Sequence, residues 1–263
     1  MKIFGLSHIG NSRANQEDNY LIGEKYVELN IVRRVTREMP DTCVYTVSEA
    51  GNDLIAVSDG MGGHSAGEVA SYMTVKALAS NYNRIVKGGK AELMSVIAEV
   101  NRAVTAESER DPDSRGMGAT LCGVLLGREG IVGFNVGDSR LYRAFGGELR
   151  QLSKDHSEGQ RLLDLGLLTK DELKTFPKRH VIYKCVGMKA DLVPDVFDIE
   201  PCPEGAILLL CSDGLCDALT DSEIQEIIFS GESLKEKGKR LIDAALERNI
   251  GHGDNITVIL TEF

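Results

Sequence analysis

The stretch "DLIAVSDGMGGHSAGE" (residues 53–68) joins an apolar run to an Asp-Gly step and then to a helical pattern. A short apolar run that ends at Asp and Gly is typical of a buried strand, so we expect a strand over 53–58 that stops at Asp59. The helix that follows should extend to about Ser80, and a second helix is predicted over 90–109. The apolar residues at helical spacing in this second helix are Leu93, Ile97, Val100 and Val104.

The rest of the chain predicts closely spaced strands and further helices. Residues 119–127 and 130–153 form a series of apolar runs separated by Gly-containing turns. Strands joined so briefly must pair antiparallel, because parallel strands need long crossovers. Further helices are predicted over 157–176, from about Asp221 and across 233–248, and the last strand over 255–263. Helices among hairpinned strands favour an α+β fold with helices packed on sheet faces.

Composition excludes several classes of protein. Forty acidic and 30 basic residues give a net charge of −10, which does not suit a nucleic-acid binder. The longest apolar run, Ala206–Cys211, is far below the roughly 20 residues that cross a bilayer, so no membrane span is expected. The first ten residues are too weakly apolar for a signal peptide, which favours a cytoplasmic protein. No Pro- or Ser-rich linker divides the chain, and we expect one domain over residues 1–263.

Six cysteines form no CxxC pair, and Cys122 and Cys211 lie within apolar runs. We therefore expect buried, reduced thiols rather than disulfides, since a chain of this size does not need covalent crosslinks.

Acidic residues recur where apolar runs begin or end. These residues are Asp59, Asp138, Asp213 and Asp254, with Glu17, Asp18 and Asp217 in similar settings. Several converging carboxylates repel one another and are costly at the edge of a core unless a cation compensates them. A carboxylate-rich site suits Mg²⁺ or Mn²⁺, whereas the five histidines lack the spacing of a zinc site. Asp-Gly steps are also common turns, and local chemistry alone leaves the two interpretations open.

Seven motifs occur in the order found in bacterial metal-dependent protein phosphatases of type 2C, which this chain resembles from about residue 5 to its end. They are "RANQED", "SDGMGGHSAGE", "GATL", "VGDSR", "LSKDHS", "CSDGLCD" and "GDNIT". The resemblance implies a four-layer αββα sandwich of two antiparallel sheets flanked by helices. It also implies a protein serine/threonine phosphatase with two Mn²⁺ or Mg²⁺ ions, in which activated water attacks the phosphoryl group in-line without a covalent phosphoenzyme.

The resemblance further assigns roles to the motif residues. Asp59 would bridge both ions and the carbonyl of Gly60 would bind one of them. Asp213 and Asp254 would hold the other ion. In the remaining roles, Asp18 and Glu17 would act largely through metal-bound waters, and Arg13 would bind the substrate phosphate without being a metal ligand.

Some positions match the family less firmly. Asp138 and Asp217 match a weaker third metal site of bacterial members. Met61 stands where animal members have a His, and His64 is expected to make a hydrogen bond at the helix entry more than to act as a catalytic acid. The forty residues between Asp18 and Asp59 include an extra segment at about 28–50, whose arginines Arg33, Arg34 and Arg37 either contact substrate or are solvated.

A segment over about 157–185 resembles the family's flap, although "FPKRHVIYKCVG" departs from the usual pattern. We define residues 157–185 as the flap segment. The departure leaves substrate choice and flap motion open. The expected partners are phosphorylated proteins made by a Ser/Thr kinase, and a monomer is expected.

Three alternatives belong to other classes. Cys122 and Arg128 fit the C-x5-R spacing of thiolate phosphatases, but the residues between them are apolar and strand-like. A catalytically silent binding module would be expected to lose metal aspartates, which this chain keeps. A nucleotide-using enzyme is disfavoured because GxxxxGK[ST] does not occur.

Overall fold

The computed structural model describes residues 1–36, 54–62, 66–127, 130–188, 191–248 and 253–263, together with the backbone of 41–47. The strands, numbered in chain order, are β1 Lys2–His8, β2 Asp18–Ile22, β3 Lys25–Tyr26, β4 Asp41–Val47, β5 Leu54–Met61, β6 Gly118–Ala119, β7 Leu121–Gly127, β8 Gly130–Val136, β9 Arg140–Phe145, β10 Glu148–Gln151, β11 Asp195–Ile199, β12 Ile207–Cys211 and β13 Ile256–Glu262. The helices are α1 Leu29–Val32, α2 Gly67–Ser80, α3 Tyr82–Arg110, α4 Glu158–Asp164, α5 Lys170–Thr175, α6 Asp213–Cys216, α7 Asp221–Ile228 and α8 Leu234–Arg248.

The strands form two antiparallel sheets. The first has the order β10-β9-β12-β13-β1-β4, and the second has the order β11-β8-β7-β5-β2-β3, with β6 paired to β5. Every paired register in the described strands is antiparallel. The predicted α+β class with two antiparallel sheets is confirmed.

Side-chain alternation along single strands shows how the layers stack. In β5, Ile55 and Val57 lie in the apolar core between the sheets, whereas Leu54 and Ala56 lie in a core shared with α2 and α3. In β12, Leu208 and Leu210 face the core between the sheets, and the residues that alternate with them face α7 and α8. Three apolar cores therefore separate four layers, as the αββα resemblance implied.

Three details of the predicted elements differ from the structure. The helix predicted over 157–176 is two short helices, α4 and α5, because Thr169 caps the start of a new helix. The strand that contains Asp59 does not stop there but continues to Met61, because its end pairs with β6. The helix predicted over 90–109 is the second part of α3, which is interrupted at Gly89, where φ is +60°. The four apolar residues predicted for its buried face are all in the core.

The extra segment at about 28–50 supplies α1 and the edge strand β4, which pairs with β1 along its whole length. Among the described residues, no helix is long and apolar enough to cross a membrane. Cys122 and Cys211 are buried free thiols, as predicted.

Candidate metal centre

Asp59 lies inside a strand, directly opposite Asp18 on the neighbouring strand β2. The amide of Asp59 donates to the hydroxyl of Thr120 at 2.9 Å, and the amide of Thr120 donates to the carbonyl of Asp59 at 2.8 Å. The turn interpretation is therefore wrong for Asp59. Thr120, which belongs to the "GATL" motif, is a positioning residue that our sequence analysis did not assign.

Asp18 is buried with only one of its oxygens satisfied. Its Oδ2 accepts hydrogen bonds from the hydroxyls of Ser212 (2.8 Å) and Thr257 (2.7 Å), whereas Oδ1 has no hydrogen-bond partner within the described structure. Burial raises the pKa of Asp18 to about 7, and the two hydroxyls oppose this shift only in part. A buried carboxylate oxygen without a partner is costly, so this group is suited to a cation.

Asp213 begins α6, just beyond the end of β12. Its Oδ1 is buried with no hydrogen-bond partner among the described residues. Burial raises the pKa of Asp213 to about 7, and the negative charges of Asp217 and Asp254 add to the effect.

Five aspartates from different parts of the chain converge here. They are Asp18, Asp59, Asp138, Asp213 and Asp254, which we call the aspartate cluster. The pKa of Asp59 is raised well above its usual range, first by burial and then by the negative charge of the other four members. The cluster brings together aspartates from five of the seven motifs.

Arg13 contacts one of the expected ligands. Its Nη2 lies 2.5 Å from Oδ2 of Asp254, and about half of the Arg13 side chain is exposed to solvent. This ion pair is the main cause that raises the pKa of Arg13. The family resemblance implies that Arg13 is not a metal ligand, but in the structure its guanidinium contacts Asp254, an expected ligand.

Asn255 links the first motif, "RANQED", to the last, "GDNIT", through hydrogen bonds. Its side-chain oxygen accepts from the amide of Glu17 at 2.8 Å, and its side-chain nitrogen donates to the carbonyls of Ile9 (2.8 Å) and Asn15 (3.0 Å). Its own amide donates to Oδ1 of Asp254. Asn255 lies within the quoted "GDNIT", but the sequence analysis assigned only the Asp of that motif.

Gly60 occupies a space with no room for a side chain. A Cβ there would lie 2.0 Å from the carbonyl oxygen of Gly67 and 2.6 Å from that of Glu17. Glu17 in turn packs on Gly67, where a Cβ would lie 2.8 Å from the Glu17 carboxylate. Burial raises the pKa of Glu17 to about 7, opposed by Arg13 and supported by the charge of Glu68.

The extra segment contributes one arginine to this side of the cluster. Arg33 donates through two nitrogens to the same oxygen of buried Glu68, each at 3.2 Å. The second oxygen of Glu68 is buried without a partner in the described structure. Arg34 is exposed, and Arg37 lies outside the described residues. Arg33 is therefore paired with a buried carboxylate rather than simply solvated.

Asp138 and Asp217 line a small cavity of about 80 Å³ together with Asp213 and His180. Asp138 is buried, and its Oδ1 has no partner within the described structure. Asp217 instead lies 3.2 Å from Nδ1 of His180, a residue of the flap segment. Burial and then the charge of Asp213 raise the pKa of Asp138 well above its usual range, and the charge of Asp217 contributes less.

His156 positions the backbone just before Asp138. Its Nδ1 accepts from the amide of Gly137 at 2.9 Å, and its own amide donates to the carbonyl of Gly137 at 2.9 Å. Gly137 adopts φ +109°, and a side chain there would meet Thr120. The motif "LSKDHS" contains His156, but nothing in its spacing indicated this role.

Two further predictions from the sequence concern His64 and Cys122. His64 lies outside the described residues. Cys122 is fully buried in β7, and burial raises the pKa of its thiol well above the usual range. A buried thiol with a raised pKa cannot serve as the nucleophile that a thiolate phosphatase requires.

The donor set fits a hard divalent cation. As they stand, no three acidic, His or Cys side chains of the described residues are arranged to hold a metal ion. Both oxygens of Asp254 have hydrogen-bond partners, so that carboxylate would have to rotate to bind one. Unpaired buried oxygens on Asp18, Asp138 and Asp213 provide the all-oxygen donors that Mg²⁺ and Mn²⁺ prefer.

Comparison with known proteins gives consistent results. Residues 39–249 match the family model described as protein phosphatase 2C. The serine/threonine phosphatase stp of Listeria monocytogenes is 37% identical over 214 residues, which cover 80% of this chain and 84% of the relative. The protein phosphatase PhpP of Streptococcus pneumoniae is 32% identical over 263 residues, covering 99% of this chain and 96% of the relative.

Solved structures agree over nearly the whole chain. The serine/threonine phosphatase of S. agalactiae superposes with a TM-score of 0.80 at 31% identity, covering 98% of this chain and 97% of the other. The catalytic domain of the serine threonine protein phosphatase PstP, in complex with two manganese ions, has a TM-score of 0.76 at 31% identity, covering 100% and 99%.

Proposed function

Since this chain belongs to the protein phosphatase 2C family, we propose that the aspartate cluster is the metal centre at which it removes phosphate from phosphoserine and phosphothreonine in proteins. The chain is a metal-dependent serine/threonine protein phosphatase. The observation that supports the cluster as its centre is the convergence of five aspartates, three of which have a buried oxygen without a partner in the described structure.

The residues of the cluster would divide the work of holding two ions. Asp59, whose pKa is raised by the charge of the other four aspartates, would hold both ions, and the carbonyl of Gly60 would help to hold one of them. Asp213 and Asp254 would hold the second ion, and Asp18 and Glu17 would orient water at the cluster. Two bound Mn²⁺ or Mg²⁺ ions supply an acidified water and neutralise phosphoryl oxygens during in-line displacement.

Arg13 is the proposed phosphate ligand. Its guanidinium is half exposed to solvent and forms an ion pair with Asp254 of the cluster. A planar guanidinium can bind two phosphate oxygens at once, which a lysine cannot reproduce. If Asp254 held a cation, Arg13 would lose its carboxylate partner and would be free to bind the substrate phosphate.

The finer assignments belong to the same proposal. Asp138 would take part in a weaker third metal site, with Asp217 at its rim. Residues 1–263 would form one phosphatase domain, with 157–185 as its flap. We further propose that the enzyme is a cytoplasmic monomer that acts on products of a Ser/Thr kinase. Sedimentation and cell fractionation test its state and location.

The decisive experiment is hydrolysis of a phosphothreonine peptide with Mn²⁺, with and without EDTA. Activity should require the metal and disappear with the chelator. Asp59→Asn removes the charge shared by both ions and should lower kcat at least about 10²-fold, or about 3 kcal/mol of barrier. Asp213→Asn and Asp254→Asn should act similarly, whereas Cys122→Ser should stay within a few-fold of wild type.

Undiminished turnover in EDTA would overturn the proposal. Wild-type rates in any of the three aspartate variants would show that the assigned centre is wrong. A complete loss of activity in Cys122→Ser, in a folded protein, would return the thiolate mechanism to consideration.

A further inference from the structure

A second cavity lies beside the aspartate cluster. Its volume is about 290 Å³, several times that of the cavity next to Asp138. The side chains that form most of its lining are those of Met61, Met117, Met188, Cys185, Thr105 and Glu109. Three of the seven methionines of the chain therefore surround one cavity.

The position of Met61 connects this cavity to the proposed catalytic centre. Met61 follows Asp59 by two residues in β5. Two residues of extended chain span about 7 Å. Cys185, in the lining of the cavity, is influenced by another member of the aspartate cluster. Burial raises the pKa of its thiol to about 11, and the negative charge of Asp138 adds to this effect.

The walls of the cavity are held in place by close backbone packing. A Cβ on Gly118 would lie 2.9 Å from Sγ of Cys185 and 3.8 Å from Cγ of Met61, so the missing side chain helps to keep the space open. The amide of Gly187, next to Met188, donates to the side chain of Asn101 on α3 at 2.8 Å. A backbone bridge between Ala119 and Val186 joins the same two walls.

The lining is apolar at its base and accessible at its edge. Met117 and Cys185 are buried, Met61 is half-buried, and 45% of Met188 is exposed. Glu109 lies exposed at the rim and would repel an acidic group. Methionine side chains adapt to different apolar shapes and recur at peptide-binding surfaces. The cavity is therefore suited to an uncharged, apolar side chain.

We propose that this cavity binds an apolar side chain of the phosphoprotein substrate, one or two residues from the phosphorylated Ser or Thr. The inference rests on the proposed function, because it takes the aspartate cluster as the place where the phosphate binds. An extended peptide whose phosphate lies at the cluster covers in two residues the distance between Asp59 and Met61. The enzyme thereby prefers phosphosites with Leu, Met or Phe close to the phosphorylated residue.

The test uses phosphothreonine peptides that differ at one position, two residues before or after the phosphothreonine, where Leu, Gly or Asp is placed. The measured quantity is the ratio of kcat/KM between peptides, which cancels changes in the chemical step. Wild type should prefer Leu over Gly by about tenfold or more on at least one side, with Asp the poorest. Met188→Ala and Met61→Ala should bring the Leu/Gly ratio close to one.

Met94→Ala is the matched control. Met94 is 37% exposed on α3 and lies 11 residues before Thr105, or about 16 Å along the helix. It should keep the wild-type ratio. Met188→Lys places a positive charge at the cavity edge and should make the Asp peptide better than the Gly peptide.

A Leu/Gly ratio near one in wild type, or a ratio unchanged in both Met61 and Met188 variants, would overturn the inference while leaving the phosphatase proposal intact. Failure of every peptide to be hydrolysed in Mn²⁺ would instead overturn the proposed function, and the subsite with it.

Discussion

Asp18→Asn should stabilise the metal-free protein although it removes an expected participant in metal binding. The variant keeps an oxygen that can accept from Ser212 and Thr257, and its new amide replaces the buried Oδ1 that has no partner among the described residues. That amide would face the remaining aspartates as a hydrogen-bond donor. The substitution removes a charge while preserving shape and hydrogen bonds.

The magnitude follows from the pKa of Asp18, which burial raises from 3.8 to about 7. Between these values the folded protein binds more protons than the unfolded chain, so its stability falls as pH rises through that window. A difference of about 3 pH units, at about 1.4 kcal/mol each, corresponds to about 4 kcal/mol lost above pH 7. Asn does not ionise and avoids this loss.

Thermal unfolding in EDTA at pH 8 and pH 5 measures the effect. At pH 8 the variant should be more stable by about 2 to 4 kcal/mol, which corresponds to a Tm higher by roughly 5 to 15 °C. At pH 5 only about 1.2 pH units of the window above 3.8 have been crossed, so the advantage of the variant should shrink to about 1.7 kcal/mol, and it should disappear only below about pH 4. Added Mn²⁺ should raise the Tm of wild type more than that of the variant.

Asp198→Asn is the matched control, because 80% of the Asp198 side chain is exposed. It should change stability by no more than about 0.5 kcal/mol at either pH. A less stable Asp18→Asn protein at pH 8 in EDTA, or an equal gain at both pH values, would refute the electrostatic argument.

Two further predictions concern the edge of the cluster. Arg13→Ala should raise KM for a phosphopeptide and lower kcat, and Arg13→Lys should restore activity only in part. Steady-state kinetics over a Mn²⁺ titration measure both effects. A change in the metal requirement alone would contradict the prediction. Gly60→Ala places a Cβ 2.0 Å from a backbone oxygen of Gly67. It should lower the free energy of unfolding by about 3 kcal/mol or more, measured with urea in the absence of metal. Gly231→Ala is the control and should be tolerated, because a Cβ there meets nothing within 4 Å. Wild-type stability of Gly60→Ala would show that this packing is not as tight as the structure has it.

The elements of the fold were predictable from local patterns, but their arrangement was not. Apolar periodicity correctly indicated the buried face of α3, and short connections correctly indicated antiparallel pairing. The prediction that the strand ends at Asp59 was wrong, because the pairing of Gly60 and Met61 with β6 depends on residues almost sixty positions later in the chain. The two-sheet sandwich came from the family resemblance, since periodicity says nothing about which strands become neighbours.

Some residues of the candidate site could likewise be predicted from the sequence, and others could not. Acidic residues at the ends of apolar runs indicated where to look, because charge at the edge of a core is unusual enough to be noticed in sequence. Thr120, His156 and Asn255 could not be recognised in this way. Each acts through a neighbouring backbone group, and uncharged hydrogen-bonding side chains are common throughout any protein.

The same carboxylates explain why the supporting structure is so extensive. Asp18 and Asp59 lie opposite each other, and their repulsion opposes folding wherever no cation offsets it. Hydroxyls satisfy one oxygen of Asp18, Arg13 pairs with Asp254, and Thr120 fixes the backbone of Asp59. None of these contacts removes the negative charge from the centre of the cluster. A fold that holds several carboxylates together at a cost in stability gains that stability back when a divalent cation binds, so metal affinity and folding stability should change together.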